Sequence, residues 1–260
     1  MSVRAPAATL RTLLGDGSTA LGTFIKLPST EVLDVVVAAG FDFAIADLEH
    51  SQLDYPVVRR LAGHATARGF PLLIRLPAVD SGAINRLLEA GAAGIQLSML
   101  RSTGQRRALL DAARYPPDGK RSISLAHPQA GYGAFGMAEY LDTQRPGPFL
   151  VGQIETPDGE DPVADMIRGL DVVFIGTADL SLNAGHPGDP RHPDVAARIA
   201  EVAVAAGETG TVLGGWVDSA RSLGVLTDLG ARFLVVGSDL QLLRSSLQGL
   251  VDEVRAGETS

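Results

Sequence analysis

Two acids, Glu155 and Asp179, each stand just past a short apolar run, Phe149-Leu150-Val151-Gly152-Gln153-Ile154 and Val172-Val173-Phe174-Ile175. Runs of that length read as buried strands. Side chains alternate along a strand, so Val151, Gln153 and Glu155 share one face with the polar pair at its carboxyl end. In a parallel α/β sheet that end is where ligands bind. Two carboxylates, the Gln153 carboxamide and the tight Gly176-Thr177-Ala178 turn make an oxygen-rich pocket suited to a hard divalent cation and a chelating substrate. Taken singly, either acid is also explained as a helix cap or a turn-closing residue.

Three more strand exits carry chemistry. Lys26 ends the first apolar run, Asp47-Leu48-Glu49-His50 ends the second and Arg75 lies in the third. His50, flanked by Asp47 and Glu49, is a candidate general base whose basicity a carboxylate would raise, or else an exposed loop histidine. Arg75 follows Leu72-Leu73-Ile74, so its stem is expected to be buried and its guanidinium to need an anion. Glu49 or Glu89 would serve as that anion as well as a substrate oxygen would. His64, His127, His186 and His192 fall in a helix or in Pro/Gly loops and read as surface residues.

The elements that must position these groups follow from hydrophobic period. Strands are expected at Ala20–Leu27, Phe43–Asp47, Pro71–Leu76, Gly94–Met99, Phe149–Glu155, Val172–Ile175, Val212–Trp216 and Phe233–Val236. Helices are expected at Ser29–Ala39, Pro56–Arg68, Asp80–Ala90, Ser102–Arg114, Pro157–Gly169, Pro193–Thr209, Asp218–Leu229 and Asp239–Arg255. Asp80 and Ser102 read as N-caps, and Gly40, Gly91 and Gly230 as C′ glycines. Eight strictly alternating βα units predict a closed (β/α)8 TIM barrel in a single domain spanning 1–260. One connection is too long for an ordinary loop, residues 115–148, and is assigned provisionally as a lid or subunit contact at the active-site end. Within it, Gly131-Tyr132-Gly133-Ala134-Phe135-Gly136 fits the dinucleotide pattern, but no apolar strand precedes it, so it reads as loop glycine. A phosphate at Gly237-Ser238-Asp239 would be repelled by Asp239.

Bulk properties narrow the function. The 260-residue chain has a formal net charge of −8 and no basic block, which excludes nucleic acid and an anionic membrane as partners. With no cysteine, thiolate metal sites and thiol nucleophiles are excluded. No apolar run is long enough to span a bilayer, and the expected location is the cytoplasm.

In order along the chain, Asp47-Leu-Glu49-His50, Ile-Arg75-Leu-Pro, Arg86-Leu-Leu-Glu89-Ala-Gly, Arg114-Tyr-Pro-Pro-Asp-Gly-Lys-Arg121, Gln153-Ile-Glu155-Thr and Phe-Ile-Gly176-Thr-Ala-Asp179-Leu-Ser181 resemble the HpcH/HpaI family of metal-dependent (class II) pyruvate aldolases. The resemblance runs from about Thr19 to Leu243. It implies a trimer of dimers holding Mg²⁺, Mn²⁺ or Co²⁺, with Glu155 and Asp179 as metal ligands. It further implies that His50 is the acid/base residue supported by Asp47, that Arg75 stabilises the enolate, and that Gln153 and the backbone at Gly176, Thr177, Ala178 and Asp179 hold the substrate. Glu89 stands where the family often has an acid that raises the basicity of the histidine. Thr177, Ser98 and Ser122 depart from the commoner Pro, Pro and Gly, and residues 125–130 do not match the familiar versions.

The implied reaction is reversible cleavage of a 4-hydroxy-2-oxo acid to pyruvate, or a close analogue, and an aldehyde. Three alternatives stand beside it: a Schiff-base (class I) aldolase using Lys26, a coenzyme A ester lyase of the same superfamily, and a protein that binds a 2-oxo acid without turnover.

Overall fold

The structure, a computed structural model, describes residues 6–219 and 222–258. All eight expected strands form: β1 (Ala20–Ile25), β2 (Phe43–Asp47), β3 (Leu72–Leu76), β4 (Gly94–Leu97), β5 (Phe149–Ile154), β6 (Val172–Ile175), β7 (Val212–Val217) and β8 (Phe233–Ser238). Each pairs in parallel with the next, and β8 returns to β1 to close a (β/α)8 barrel. β1, β4 and β5 stop short of their expected ends, which leaves Lys26, Ser98, Met99 and Glu155 on the loops that leave the strands.

Alternation divides each strand between two cores. Outward residues such as Ile74, Ile95, Leu150 and Val173 pack against the helices, while Phe43, Leu73, Phe149, Val172 and Phe233 fill the barrel. The filling is aromatic: the Phe43 and Phe233 rings stack with centroids 4.1 Å apart, and Phe149 lies 5.8 Å from Phe233. Room for such rings requires glycine on facing strands. A Cβ on Gly22 would sit 2.3 Å from the Phe43 ring, and one on Gly94 only 1.9 Å from the Phe149 carbonyl oxygen.

The helices are α1 (Pro6–Gly15), α2 (Thr30–Ala38), α3 (Tyr55–Ala67), α4 (Ser81–Ala90), α5 (Thr103–Ala113), α6 (Met137–Thr143), α7 (Val163–Ile167), α8 (Thr177–Asn183), α9 (Pro193–Thr209), α10 (Gly224–Thr227) and α11 (Asp239–Glu258). Asp80 and Ser102 cap as expected, accepting from Ala83 N and Gln105 N at 2.9 and 3.2 Å. Gly91 takes the left-handed C-cap conformation at φ 110°.

Four expectations change. First, the Pro157–Gly169 helix is confined to α7, because Pro162 lacks the amide hydrogen a continuous helix needs there. Second, the Asp218–Leu229 helix shrinks to α10, and part of that expectation falls on residues 220–221, outside the described residues. Third, α1 was not expected; its Leu10 and Leu14 are buried, and Arg11 ties it to Asp171 at 2.6 Å and to the Gly147 carbonyl at 2.9 Å. Fourth, residues 115–148 line none of the cavity above the strand exits. Helix α5 returns the chain to the amino-terminal end of the sheet, residues 120–122 run back along α4 beside Val79, Ser81 and Asn85, and Gln129, Thr143 and Gln144 border α1. Its Gly131-to-Gly136 motif is a turn in which Gly131 and Tyr132 both have positive φ, with no strand before it.

The closing helix α11 packs differently from the rest. After Asp239 its described side chains are all exposed, including Leu243, Leu247, Leu250 and Val254. Among the described residues no helix is long and apolar enough to cross a membrane.

Phe233 touches three other interior rings, so Phe233→Ala is expected to lower unfolding free energy by about 3–5 kcal/mol in a urea titration. A loss below about 1 kcal/mol would contradict a close-packed aromatic layer.

Candidate active site

Above the aromatic layer the inward positions turn polar. Asp47 is fully buried at the end of β2 and accepts from Arg75 Nε at 2.8 Å and Nη2 at 2.6 Å. The register that sets Asp47 opposite Arg75 makes this fork available. Lys26 Nζ reaches the same carboxylate at 2.9 Å, and the backbone amides of Glu49 and His50 donate to it at 3.1 Å each. Burial by itself would raise the Asp47 carboxyl, yet the Arg75 guanidinium and Lys26 ammonium hold it well below the usual carboxylate range. The main anion of Arg75 is therefore Asp47, where Glu49 or Glu89 was expected; Glu49 Oε2 lies further off at 3.4 Å from Nη1. Arg75 also lies over the Phe24 ring, 4.4 Å from its centroid, which leaves the guanidinium one way to face.

His50 is exposed above this cluster. Asp47 binds its backbone amide, and the carboxylate nearest its imidazole is Glu49, 3.8 Å from Nε2. The expected Asp47 support for the ring is thus corrected to an indirect one: Asp47 fixes the loop that carries it. Glu49 is itself held by Ser98 Oγ at 2.5 Å. Glu89 is not brought to this rim. It sits in the last turn of α4, and a helix that starts at the strand exits ends at the opposite face.

Beside this cluster, on β4 and β5, a chain of buried side chains ends in Glu155. Gln96 Nε2 donates to Gln153 Oε1 at 2.5 Å, and Gln153 Nε2 donates to Glu155 Oε2. The Met99 amide donates to Glu155 Oε1 at 2.8 Å, and Met99 adopts a left-handed φ of 51° to aim it. Such a conformation costs a non-glycine residue of order 1 kcal/mol and persists where the surroundings over-determine it. Gly176 leaves the space Glu155 occupies, since a Cβ there would lie 2.7 Å from Glu155 Oε2. Burial pushes the Glu155 carboxyl up to about 7, against the Met99 and Gln153 hydrogen bonds, and nearby Glu49 and Asp179 add to the rise. A buried carboxylate with two further acids around it is costly unless a cation joins them. The donor set is all oxygen, which fits a hard divalent ion held by Glu155 and Asp179. Asp179 lies in the first turn of α8, where a simple turn was expected.

Beside these groups lies one cavity of about 450 Å³, lined on one side by Lys26, His50, Arg75, Gln153 and Asp179. Phe24, Phe174, Trp216, Ser238 and Gln241 line the other. Gln96 and Met99 were not singled out from sequence, and Ser98 only as a departure from the commoner proline, although Gln96 shares the inward parity of Gly94 on β4. Trp216 was counted only as a strand end, and its inward parity with Gly214 was the available signal. Asp239 turns away from any ligand: its Oδ2 accepts the amides of Lys26 and Leu27 at 2.9 and 2.8 Å and sews β8 to β1.

The other histidines are less superficial than expected. His127 is buried against Tyr140, and His64 binds Asp34 at 2.8 Å. His186, His192 and Asp194 gather at the start of α9. The two imidazoles stack with centroids 3.2 Å apart and planes 15° apart. His192 caps α9, accepting from Asp194 N at 3.4 Å.

Residues 20–246 match the family described as HpcH/HpaI aldolase/citrate lyase. The chain is 32% identical over 259 residues to a hydroxypyruvate/pyruvate aldolase of Pseudomonas aeruginosa, covering 97% of this chain and 94% of that protein. It is 32% identical over 233 residues to a 5-keto-4-deoxy-D-glucarate aldolase of Shigella boydii, covering 86% of each. An HpcH/HpaI aldolase/citrate lyase family protein from Burkholderia cenocepacia superposes with a TM-score of 0.87 at 27% identity, covering 95% of this chain and 98% of that one.

Asp47→Asn would leave two cations facing a neutral amide, and a loss of about 3–5 kcal/mol is expected at pH 7. Because folding depresses the Asp47 carboxyl, its contribution is present above its unfolded value of about 3.9 and is lost as pH falls below that. Urea titrations from pH 7 to pH 3 should therefore show the substitution flattening the acid-side fall. Equal stability of the two proteins at pH 7 would refute the ion cluster.

Proposed function

We propose that this chain, which belongs to the HpcH/HpaI aldolase/citrate lyase family, is a class II pyruvate aldolase that reversibly cleaves a 4-hydroxy-2-oxo acid to pyruvate, or a close analogue, and an aldehyde. The observation that carries the reading is a division of labour around one cavity. Arg75, oriented by Asp47, and Asp179 both line it, and the anchored Glu155 stands directly behind Gln153 and Gly176 as a further oxygen donor. The aldolase names of its relatives support the same reaction class.

Cleavage breaks the bond between C3 and C4 of the 2-oxo acid. The 4-hydroxyl loses its proton, C4 leaves as the aldehyde, and the bond's electrons pass into the 2-oxo group as an enolate. Mg²⁺, Mn²⁺ or Co²⁺ held by Glu155 and Asp179 would supply a Lewis acid for the keto oxygen and a template for the 2-oxo acid. Arg75 is positioned to donate to the developing oxyanion, a kind of donor whose loss typically costs about 3–4 kcal/mol in the barrier. His50, exposed at the cavity mouth, takes the hydroxyl proton in cleavage and returns it in synthesis, and Glu49 is the carboxylate beside its ring. After cleavage, C3 of the enolate takes up a proton to give the methyl group of pyruvate. The Gly176-Thr177-Ala178 turn and Asp179 line the cavity where the substrate carboxylate would lie. Gln153 lines it too, but both ends of its amide are already engaged by Gln96 and Glu155, so its part is to hold Glu155. Lys26 is a weak Schiff-base candidate, because its ammonium is paired with Asp47 and bonded to the His50 carbonyl at 2.8 Å.

A homo-oligomer, by family resemblance a trimer of dimers, fits the unpacked helix. Leu243, Leu247, Leu250 and Val254 recur at helical spacing and are 51–58% exposed. A lone helix gains little from propensity and owes its stability to packing. The apolar stripe is therefore assigned to a second copy of the chain, and residues 115–148 remain the other proposed subunit contact.

Two measurements test the proposal. Deuterium should enter the methyl group of pyruvate in D₂O with Mg²⁺ or Mn²⁺, stop with EDTA and be lost in Glu155→Ala; exchange that persists in EDTA would move the chemistry to Lys26, and none with any metal would end the pyruvate reading. Light scattering after size exclusion should give a multiple of the 27.1 kDa chain that Leu247→Asp with Leu250→Asp reduces. A wild-type monomer at micromolar concentration would remove the oligomer.

A further inference from the structure

Behind the wall of the main cavity lies a second one. Thr177, Ala178 and Trp216 line both the 450 Å³ cavity that holds Arg75 and Asp179 and a neighbouring cavity of about 300 Å³ bounded by Ser181, Val217 and Leu226. Residues common to two adjoining spaces are the partition between them. Thr177 and Ala178 contribute short side chains at the start of α8, so the bulk of the partition is the indole.

The indole is placed by the barrel itself. Alternation along β7 points Gly214 and Trp216 inward and Gly215 outward, and Trp216 packs on the interior aromatic cluster that contains Phe174. Its Nε1–H donates to the Gly237 carbonyl on β8 at 3.2 Å, which holds the ring across the gap between the last two strands. Gly215 has no Cβ because Leu226 of α10 comes down on it; a Cβ there would meet Leu226 Cδ1 at 2.6 Å. Leu226 thereby forms part of the wall of the second cavity, on the far side of the indole from Arg75.

We infer that Trp216 is the specificity-determining residue for the aldehyde: its indole shuts the main cavity against the second one and so limits the length of the acceptor. This rests on the aldolase reading above. The metal-binding acids and Arg75 are grouped on β3, β5 and α8, so the 2-oxo acid occupies that side and the aldehyde chain extends toward β7 and β8. There it meets Phe174 and the Trp216 face, with Ser238 and Gln241 as the polar groups at the edge. The site then suits short aldehydes, and the apolar second cavity is reached only when the indole is cut back.

The test is the ratio of kcat/KM for octanal to that for propanal, with pyruvate as donor and Mn²⁺ present. A ratio is insensitive to a loss of active protein. Trp216→Ala should raise it at least about tenfold over the wild type, the scale on which one or two methylenes are discriminated in an apolar pocket. Trp216→Leu, which keeps an apolar side chain in the interior, should raise it in the same direction and serves if the alanine variant does not fold. An unchanged or lower ratio in a folded variant overturns the partition. The wild-type deuterium exchange of pyruvate separates this from failure of the underlying reading: with exchange present and the ratio unmoved, only the role of Trp216 falls, whereas without exchange the aldolase reading falls first.

Discussion

One buried carboxylate orders the front of this barrel. Asp47 has no exposed surface, and five donors meet it: two from Arg75, one from Lys26 and two backbone amides of the loop that follows. An isolated charge at that depth would cost several kcal/mol, so the carboxylate and its cations stand or fall together. The cluster binds the exits of β1, β2 and β3 at one point. It also settles three orientations at once: the guanidinium facing the cavity, the ammonium turned away from nucleophilic work, and the loop presenting His50.

Glu155 answers to the opposite electrostatics. Its surroundings give it hydrogen bonds from Met99 and Gln153 but, among the described residues, no ion pair, and two other acids stand near. The protein keeps this arrangement at the cost of a left-handed methionine and a glycine where a Cβ would collide. The Asp47 cluster is thus electrostatically complete and the neighbouring Glu155 cluster is short of positive charge, and the cavity opens beside both. That asymmetry is what suits the site to a 2-oxo acid, which brings anionic and carbonyl oxygens to both.

The two cores below and around the site explain its rigidity. Aromatic rings fill the barrel to the level of Phe174, so the polar layer rests on a floor that cannot collapse. Outside, the helices pack on every strand except where α11 leaves the molecule with its leucines exposed. Chain closure comes instead from Asp239 on the β1 amides and from Arg11 on the segment before β5.

Period and punctuation in the sequence determined the eight strands, the alternation that makes a barrel, the caps at Asp80 and Ser102, and the placement of Glu155, Asp179, Arg75 and His50 at one rim. All of these depend on local pattern: inward parity, a turn residue, a polar residue ending an apolar run. What only the tertiary structure decided depends on which groups at different strand ends share space. Asp47 and Arg75 are 28 positions apart in sequence, and register alone makes them a bidentate pair. The Gln96–Gln153–Glu155 chain, the left-handed Met99 and the Trp216 partition have no local signature, because each exists only where two or three strands converge. The long 115–148 segment was legible as an insertion, but not its neighbours: part of it borders α1, part runs along α4, and none of it lines the cavity. The exposure of α11 was equally invisible, since a period of 3.6 states which face is apolar and is silent about whether this chain or another covers it.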